Sequence, residues 1–185
     1  MAVARACLGQ SLIGAFVDLL SSYAEGRNDA GTRQMNIFLN LIDHALWADA
    51  QVVAAIGSIA VARAERAEAT RLYAHVAGAE HIWLSRLKGR RPEHPVWPEL
   101  SLDDAAALAA ASLAELRVIA DAPPEALDRD VEYQTSTGQV FRSTAAEILS
   151  QVALHGSYHR GQIALLTRQG GGAPVATDYI VYARR

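Results

Sequence analysis

Ile148, Val152, His155, His159, Ile163 and Leu166 fall at spacings of 4, 3, 4, 4 and 3. That rhythm belongs to one face of an α-helix turned toward an apolar core. Two of the six side chains on that face are imidazoles, and a buried imidazole costs free energy unless it finds a partner. A single cation can satisfy both at once, because residues four apart on a helix project in the same direction. Ser143 is the candidate cap for this last helix. Glu147 then stands one position past the one a capping box requires, and the glycines at 170–172 mark the exit.

Three more helical segments precede it. Phe38, Leu41, Ile42, Ala45, Val52 and Ile56 predict a first long helix from Met35 to about Arg63. Leu72, Val76, Ala79, Trp83 and Leu87 predict a second from about Glu65 to Lys88, closed by Gly89 and by the prolines of RRPEHPVWP. Ser101, with Asp103 and Asp104 behind it, opens a third, Ala/Leu-rich helix that runs until Pro123-Pro124. Its alanine run, 105–114, reads as a tight packing face. Val131, Tyr133, Val140 and Phe141 around the turn-like TSTG predict a short β-hairpin before the last helix. The expected fold is therefore all-α, a four-helix bundle with one hairpin and a polar cluster in its core. Residues 1–34 form an N-terminal helical extension and linker, and residues 35–185 form the bundle domain.

Composition excludes several function classes. With 51% hydrophobic and 20% charged residues in 185, the chain suits one globular domain. A net charge of -3, evenly scattered, offers no basic stripe for nucleic-acid phosphates. Asp18, Asp43, Asp49 and Arg63 interrupt every stretch that approaches the roughly 18 apolar residues of a membrane span. Asp18 and a short apolar run also argue against a signal peptide, so residues 1–25 read as an amphipathic helix packed on the domain or on a partner subunit. Cys7 is the single cysteine, which excludes an intrachain disulfide and fits a reducing cytoplasm.

His75 is the best third donor. It lies at the edge of the second helix's apolar stripe, with Ala79 and Ile82 below it on the same face. Three neutral imidazoles, His75, His155 and His159, would hold a divalent metal (zinc or nickel first, iron or manganese next) and leave a position open for water or substrate. His81 is about 240° around the helix from His75 and reads as a surface or interface residue. Glu80, about 140° away, reads as the partner of Arg160 or Arg86 in a salt bridge. His94 sits in the proline-rich loop with no geometric case for a role. His44 shares a face with Trp47 and Gln51 and is a candidate pocket or core residue or, less favoured, a fourth ligand. Gln162, one turn past His159, is a candidate for lining the pocket or orienting a ligand, with helix packing an equal alternative.

Three segments carry a resemblance to the DinB family, also described as DinB/YfiT-like. His75 to Leu87 resembles that family's H-x-x-x-x-E-x-x-W-L-x-R-L pattern, and His155 to Ile163 is similar to its more specific H-x-x-x-H-R-G-Q-I signature. The tail from Gly170 to Tyr182, with Pro174 and Asp178-Tyr179, resembles the family's usual ending. The likeness covers roughly residues 35 to 182. It implies a four-helix bundle, often a homodimer, whose metal triad corresponds to His75, His155 and His159. It also implies thiol-dependent transfer or isomerisation with a low-molecular-weight thiol. The sequence departs from the family at His44, where an aromatic residue is commoner, and at Asp49, where asparagine is. Two other readings stand beside this one. The first is a metal-dependent hydrolase with His44 as base, and the second is a non-catalytic, metal-stabilised binding protein.

Overall fold

The structure, a computed structural model, describes residues 36–185 apart from residue 136. The extension and linker expected over 1–34 lie outside the described residues. The elements are α1 (Ile37–Gly57), α2 (Ala64–Leu87), α3 (Leu102–Ala120), α4 (Pro124–Leu127), β1 (Asp130–Gln134), β2 (Val140–Thr144), α5 (Ala145–Gln169) and α6 (Tyr179–Ala183). α1, α2, α3 and α5 make the bundle. β1 and β2 pair antiparallel from Asp130 with Thr144 to Gln134 with Val140, which is the expected hairpin, and Gly138 takes the positive φ of 84° in its turn. The short helices α4 and α6 leave no periodic trace in so few residues.

Local capping follows side-chain chemistry. Asn36 caps α1 by accepting from the Leu39 N–H, and its amide donates to the Ala120 carbonyl at 2.7 Å, tying the start of α1 to the end of α3. Ser101 accepts from the Asp104 N–H, as expected. On α5 the expectation is corrected: the cap is Thr144, not Ser143. The Glu147 N–H donates to Thr144 Oγ1, and the Glu147 carboxylate accepts from the Thr144 N–H, so a full capping box is present. β2 runs to Thr144, past the Ser143 expected as the cap, and this moves the helix start to where Glu147 is the third residue.

Topology decides what can meet at the bundle's centre. α1 packs against α3 and α5, and α2 packs against the same two, while α1–α2 and α3–α5 lie on the diagonals. One core cluster joins Ile42 and Leu46 of α1 to Leu84 and Leu87 of α2, Leu113 and Leu116 of α3, and Ile148 and Val152 of α5. The other joins Val52 and Ile56 to Tyr73 and Ala77, Ala105 and Ala109, and Ile163. The early part of α1 thus shares an end with the early part of α5 and the late parts of α2 and α3. It follows that α1 and α5 are parallel to each other and antiparallel to α2 and α3. Two parallel helices in succession require the chain between them to return along the bundle, about 28 Å for a helix of α3's length. Residues 88–101 make that return, held extended by Pro92, Pro95 and Pro98. Between the two apolar clusters lies a buried polar layer of Asp49, Glu80, Ser112 and Arg160.

Replacing Thr144 with alanine should cost about 1 kcal/mol of stability in denaturant unfolding. The same change at Ser143, which is not the cap, should cost less than about 0.5 kcal/mol.

Candidate metal centre

α5 places His155 and His159 one turn apart with ring centroids 4.4 Å apart, and their Nε2 atoms approach to 3.1 Å. α2, the antiparallel neighbour, brings His75 to centroid distances of 5.0 Å from His155 and 4.7 Å from His159. One ligand atom from each of the three lies within 4.8 Å of the others. Zinc–nitrogen bonds of about 2.0–2.1 Å set tetrahedral donors about 3.3 Å apart, so modest ring rotation suits these residues to an ion of that size. The choice of His75, His155 and His159 made from helix geometry is the set that converges.

Outer partners orient two of the rings. His75 Nδ1 donates to the Val96 carbonyl at 2.9 Å, which leaves Nε2 unprotonated and available to a ligand. His159 Nδ1 donates to Gln162 Oε1 at 2.7 Å with the same consequence, and Gln162 Nε2 in turn donates to the Tyr158 hydroxyl at 3.3 Å. Gln162 therefore orients the His159 ring. The Trp97 indole lies flat on the His75 ring, 3.8 Å between centroids and 12° from parallel. This clamp depends on Gly78. A Cβ there would sit 2.7 Å from Pro98 Cδ and 2.9 Å from the Pro95 carbonyl, so only glycine lets the returning chain lie on α2 at the level of His75.

Burial favours the neutral, ligating form of His75 and His155. It pulls the pKa of His155 down to about 4, with the His159 and His75 rings adding to the effect. His75 is lowered by burial as well, against the opposing Val96 hydrogen bond.

Directly behind the triad, Arg160 donates from Nη1 to Asp49 Oδ1 at 2.9 Å, with both side chains almost wholly buried. Gly156 makes this possible, since a Cβ there would lie 2.8 Å from Arg160 Nη1. Sequence reasoning passed over this pair. The available signal was Asp49 interrupting the apolar face of α1 and Arg160 four residues past a glycine. The salt bridge expected for Glu80 is corrected, because Arg160 belongs to Asp49 and Arg86 lies over the rings of Trp83 and Tyr133 at 4.3 and 4.6 Å. Glu80 is buried with neither oxygen hydrogen-bonded, as is the Tyr73 hydroxyl. Burial, reinforced by the Asp49 carboxylate and only partly opposed by Arg160, holds the Glu80 carboxyl well above its usual range.

His81 is also corrected: it is buried, and its Nε2 accepts from the Glu93 N–H at 3.0 Å. The returning segment covers the face that a lone helix would expose. His94 contributes an edge contact to His81 at 5.4 Å. His44 is not brought to the triad. Its Nε2 donates to the Thr177 carbonyl at 2.7 Å, and its ring packs among Trp47, Tyr179 and Tyr182, fastening the C-terminal tail to α1.

A four-helix bundle that gathers three imidazoles from two facing helices, two of the rings turned by a carbonyl-type acceptor, defines a helical-bundle protein with a candidate metal site. The sequence pattern of the DinB family matches residues 60–185, and the chain belongs to that family. All three histidines lie inside the match, whereas α1, with His44 and Asp49, lies outside it. The protein DinB of Bacillus subtilis (strain 168) is 38% identical over 58 residues, 31% of this chain and 34% of that protein, so the shared stretch spans about a third of the relative. No solved structure matches the chain. Among the described residues, no helix is long and apolar enough to cross a membrane.

The raised Glu80 carboxyl has a signed consequence. The folded state keeps a proton that the unfolded chain releases near the ordinary value of 4.5. The associated stability is complete below that pH and is lost as pH climbs toward the folded value. Glu80→Gln should flatten this decline, and its thermal midpoint should exceed the parent's at pH 8 while matching it more closely at pH 4.5. Thermal unfolding of both proteins across that range checks the sign.

Proposed function

We propose that His75, His155 and His159 hold one divalent transition metal and that the protein is a metal-dependent transferase acting through a low-molecular-weight thiol. The observation that carries the metal half is the convergence of three imidazole donors within 4.8 Å, two of them with Nδ1 atoms satisfied by acceptors. The thiol half rests on the family resemblance. When bound, such an ion acts as a Lewis acid that lowers the pKa of a coordinated thiol. The chain's own contribution is orientation. Val96 and Trp97 fix His75, Gln162 fixes His159, and the Asp49–Arg160 pair fixes the rotation of α5. In the transfer, a carbon–sulfur bond forms at the electrophile, its bond to the leaving group breaks, and the thiol proton passes to solvent.

A hydrolase on the same site would need a general base beside the open position. His44, the residue considered for that role, is committed to the Thr177 carbonyl within a separate aromatic group. The thiol reading is therefore favoured over hydrolysis.

Elemental analysis of tag-free protein should find about one equivalent of zinc, nickel or a similar metal, and His159→Ala should lose at least tenfold in metal affinity. The metal-loaded parent should then couple a low-molecular-weight thiol to monobromobimane faster than the metal-free form. Metal binding without any metal-dependent acceleration across a panel of thiols would favour the non-catalytic binding protein. Absence of metal after incubation with zinc and nickel would remove both.

A further inference from the structure

Beside the triad, an open groove of about 510 Å³ runs along α2 and the returning segment, lined by Arg66, Thr70, Arg71, Trp97, Glu99 and Leu100 among others. Its size lies within the range of small-molecule sites, which run from about 300 to 1,000 Å³. Trp97 connects it to the candidate metal centre, since the indole stacks on His75 at 3.8 Å while the Arg71 guanidinium lies 4.6 Å from the same indole's centroid. Arg71 precedes His75 by one helical turn, so the two are about 6 Å apart along α2. Two guanidiniums and one carboxylate, Glu99, line the groove, and Glu68 at its edge is paired with Arg71. Arg66 is committed structurally, donating to the carbonyls of Gly57 at 3.0 Å and Ile59 at 2.6 Å.

Arg71 is differently placed. Its Nε and Nη2 donate to the two oxygens of Glu68 at 2.8 and 2.6 Å, with the two side chains 55% and 47% exposed. An exposed pair of this kind contributes little to stability, yet it holds a planar fork in the geometry that receives a carboxylate bidentately. A ligand carboxylate can take the place of Glu68 at small cost. The indole, with Leu100, Val61 and Ala67, offers a flat apolar surface to the rest of such a ligand.

We propose that this groove is the subsite for a small planar carboxylate, with Arg71 receiving the carboxylate, the Trp97 indole packing the body, and the far end directed at the triad. Its assignment as the electrophile's subsite rests on the transferase reading, whereas recognition of the anion at Arg71 stands on the groove alone. Arg71 is then the residue that selects for negative charge.

Benzoate and its uncharged counterpart benzamide test the assignment. Each is titrated into the full-length protein, metal-free and zinc-loaded, with the Trp97 indole N–H followed by NMR after its assignment through Trp97→Phe. Benzoate should shift that signal saturably and bind at least tenfold more tightly than benzamide. Arg71→Gln should erase the difference while leaving metal content and thermal midpoint as in the parent. Equal binding of the two probes, shifts that avoid Trp97, or undiminished benzoate binding by Arg71→Gln would overturn the subsite. If the protein takes up no metal but benzoate still selects Arg71, the transferase reading falls and the anion site stands. If metal is bound and benzoate ignores the groove, the anion site falls and the metal site stands.

Discussion

The buried ion pair between Arg160 and Asp49 is the contact on which the geometry of the centre depends. Neither charge reaches water, so each is tolerable only because the other is 2.9 Å away. Removing one partner from such a pair typically costs about 3–5 kcal/mol, since the survivor is left buried and unpaired. Arg160 follows His159 directly. Locking its guanidinium to α1 fixes the rotation of α5 about its own axis, and that rotation turns His155 and His159 toward α2. Gly156 belongs to the same device, because a side chain there would occupy the space the guanidinium needs.

The second determinant is topological. With α2 and α3 parallel, residues 88–101 must travel back along the bundle, and they do so across the face that carries His75. The returning chain supplies an acceptor for His75 Nδ1 through Val96, a flat cover through Trp97, and a lid for His81 through the Glu93 N–H. A connection that a short antiparallel turn would have spared thus becomes one wall of the centre. It is also one side of the groove in which Arg71 stands.

Local periodicity makes the four long helices, the hairpin and the His155–His159 pair legible, because each is encoded in residues a few positions apart on one element, and His75 is reached by matching the apolar stripe of a second helix to that pair. What escaped was long-range. The burial of His81 depends on a segment folding back over α2, and the partner of Arg160 lies 111 residues away on α1. Glu80 looked like a salt-bridge former because a charged side chain on a helix usually finds a counter-ion. Here the polar layer holds two carboxylates for a single guanidinium, and Asp49 takes it. The cap of α5 shifted by one residue because strand β2 extends that far, a boundary that pairing sets and periodicity does not. His44, read as a pocket or core residue, is buried and fastens a tail whose short helix has no periodic signature.

X-ray absorption at the zinc edge of the zinc-loaded protein tests most directly whether the three histidines converge on one ion. The account predicts a first shell containing three imidazole nitrogens at about 2.0–2.1 Å, falling to two in His75→Ala. A shell of oxygens, or one unchanged by that substitution, would contradict it.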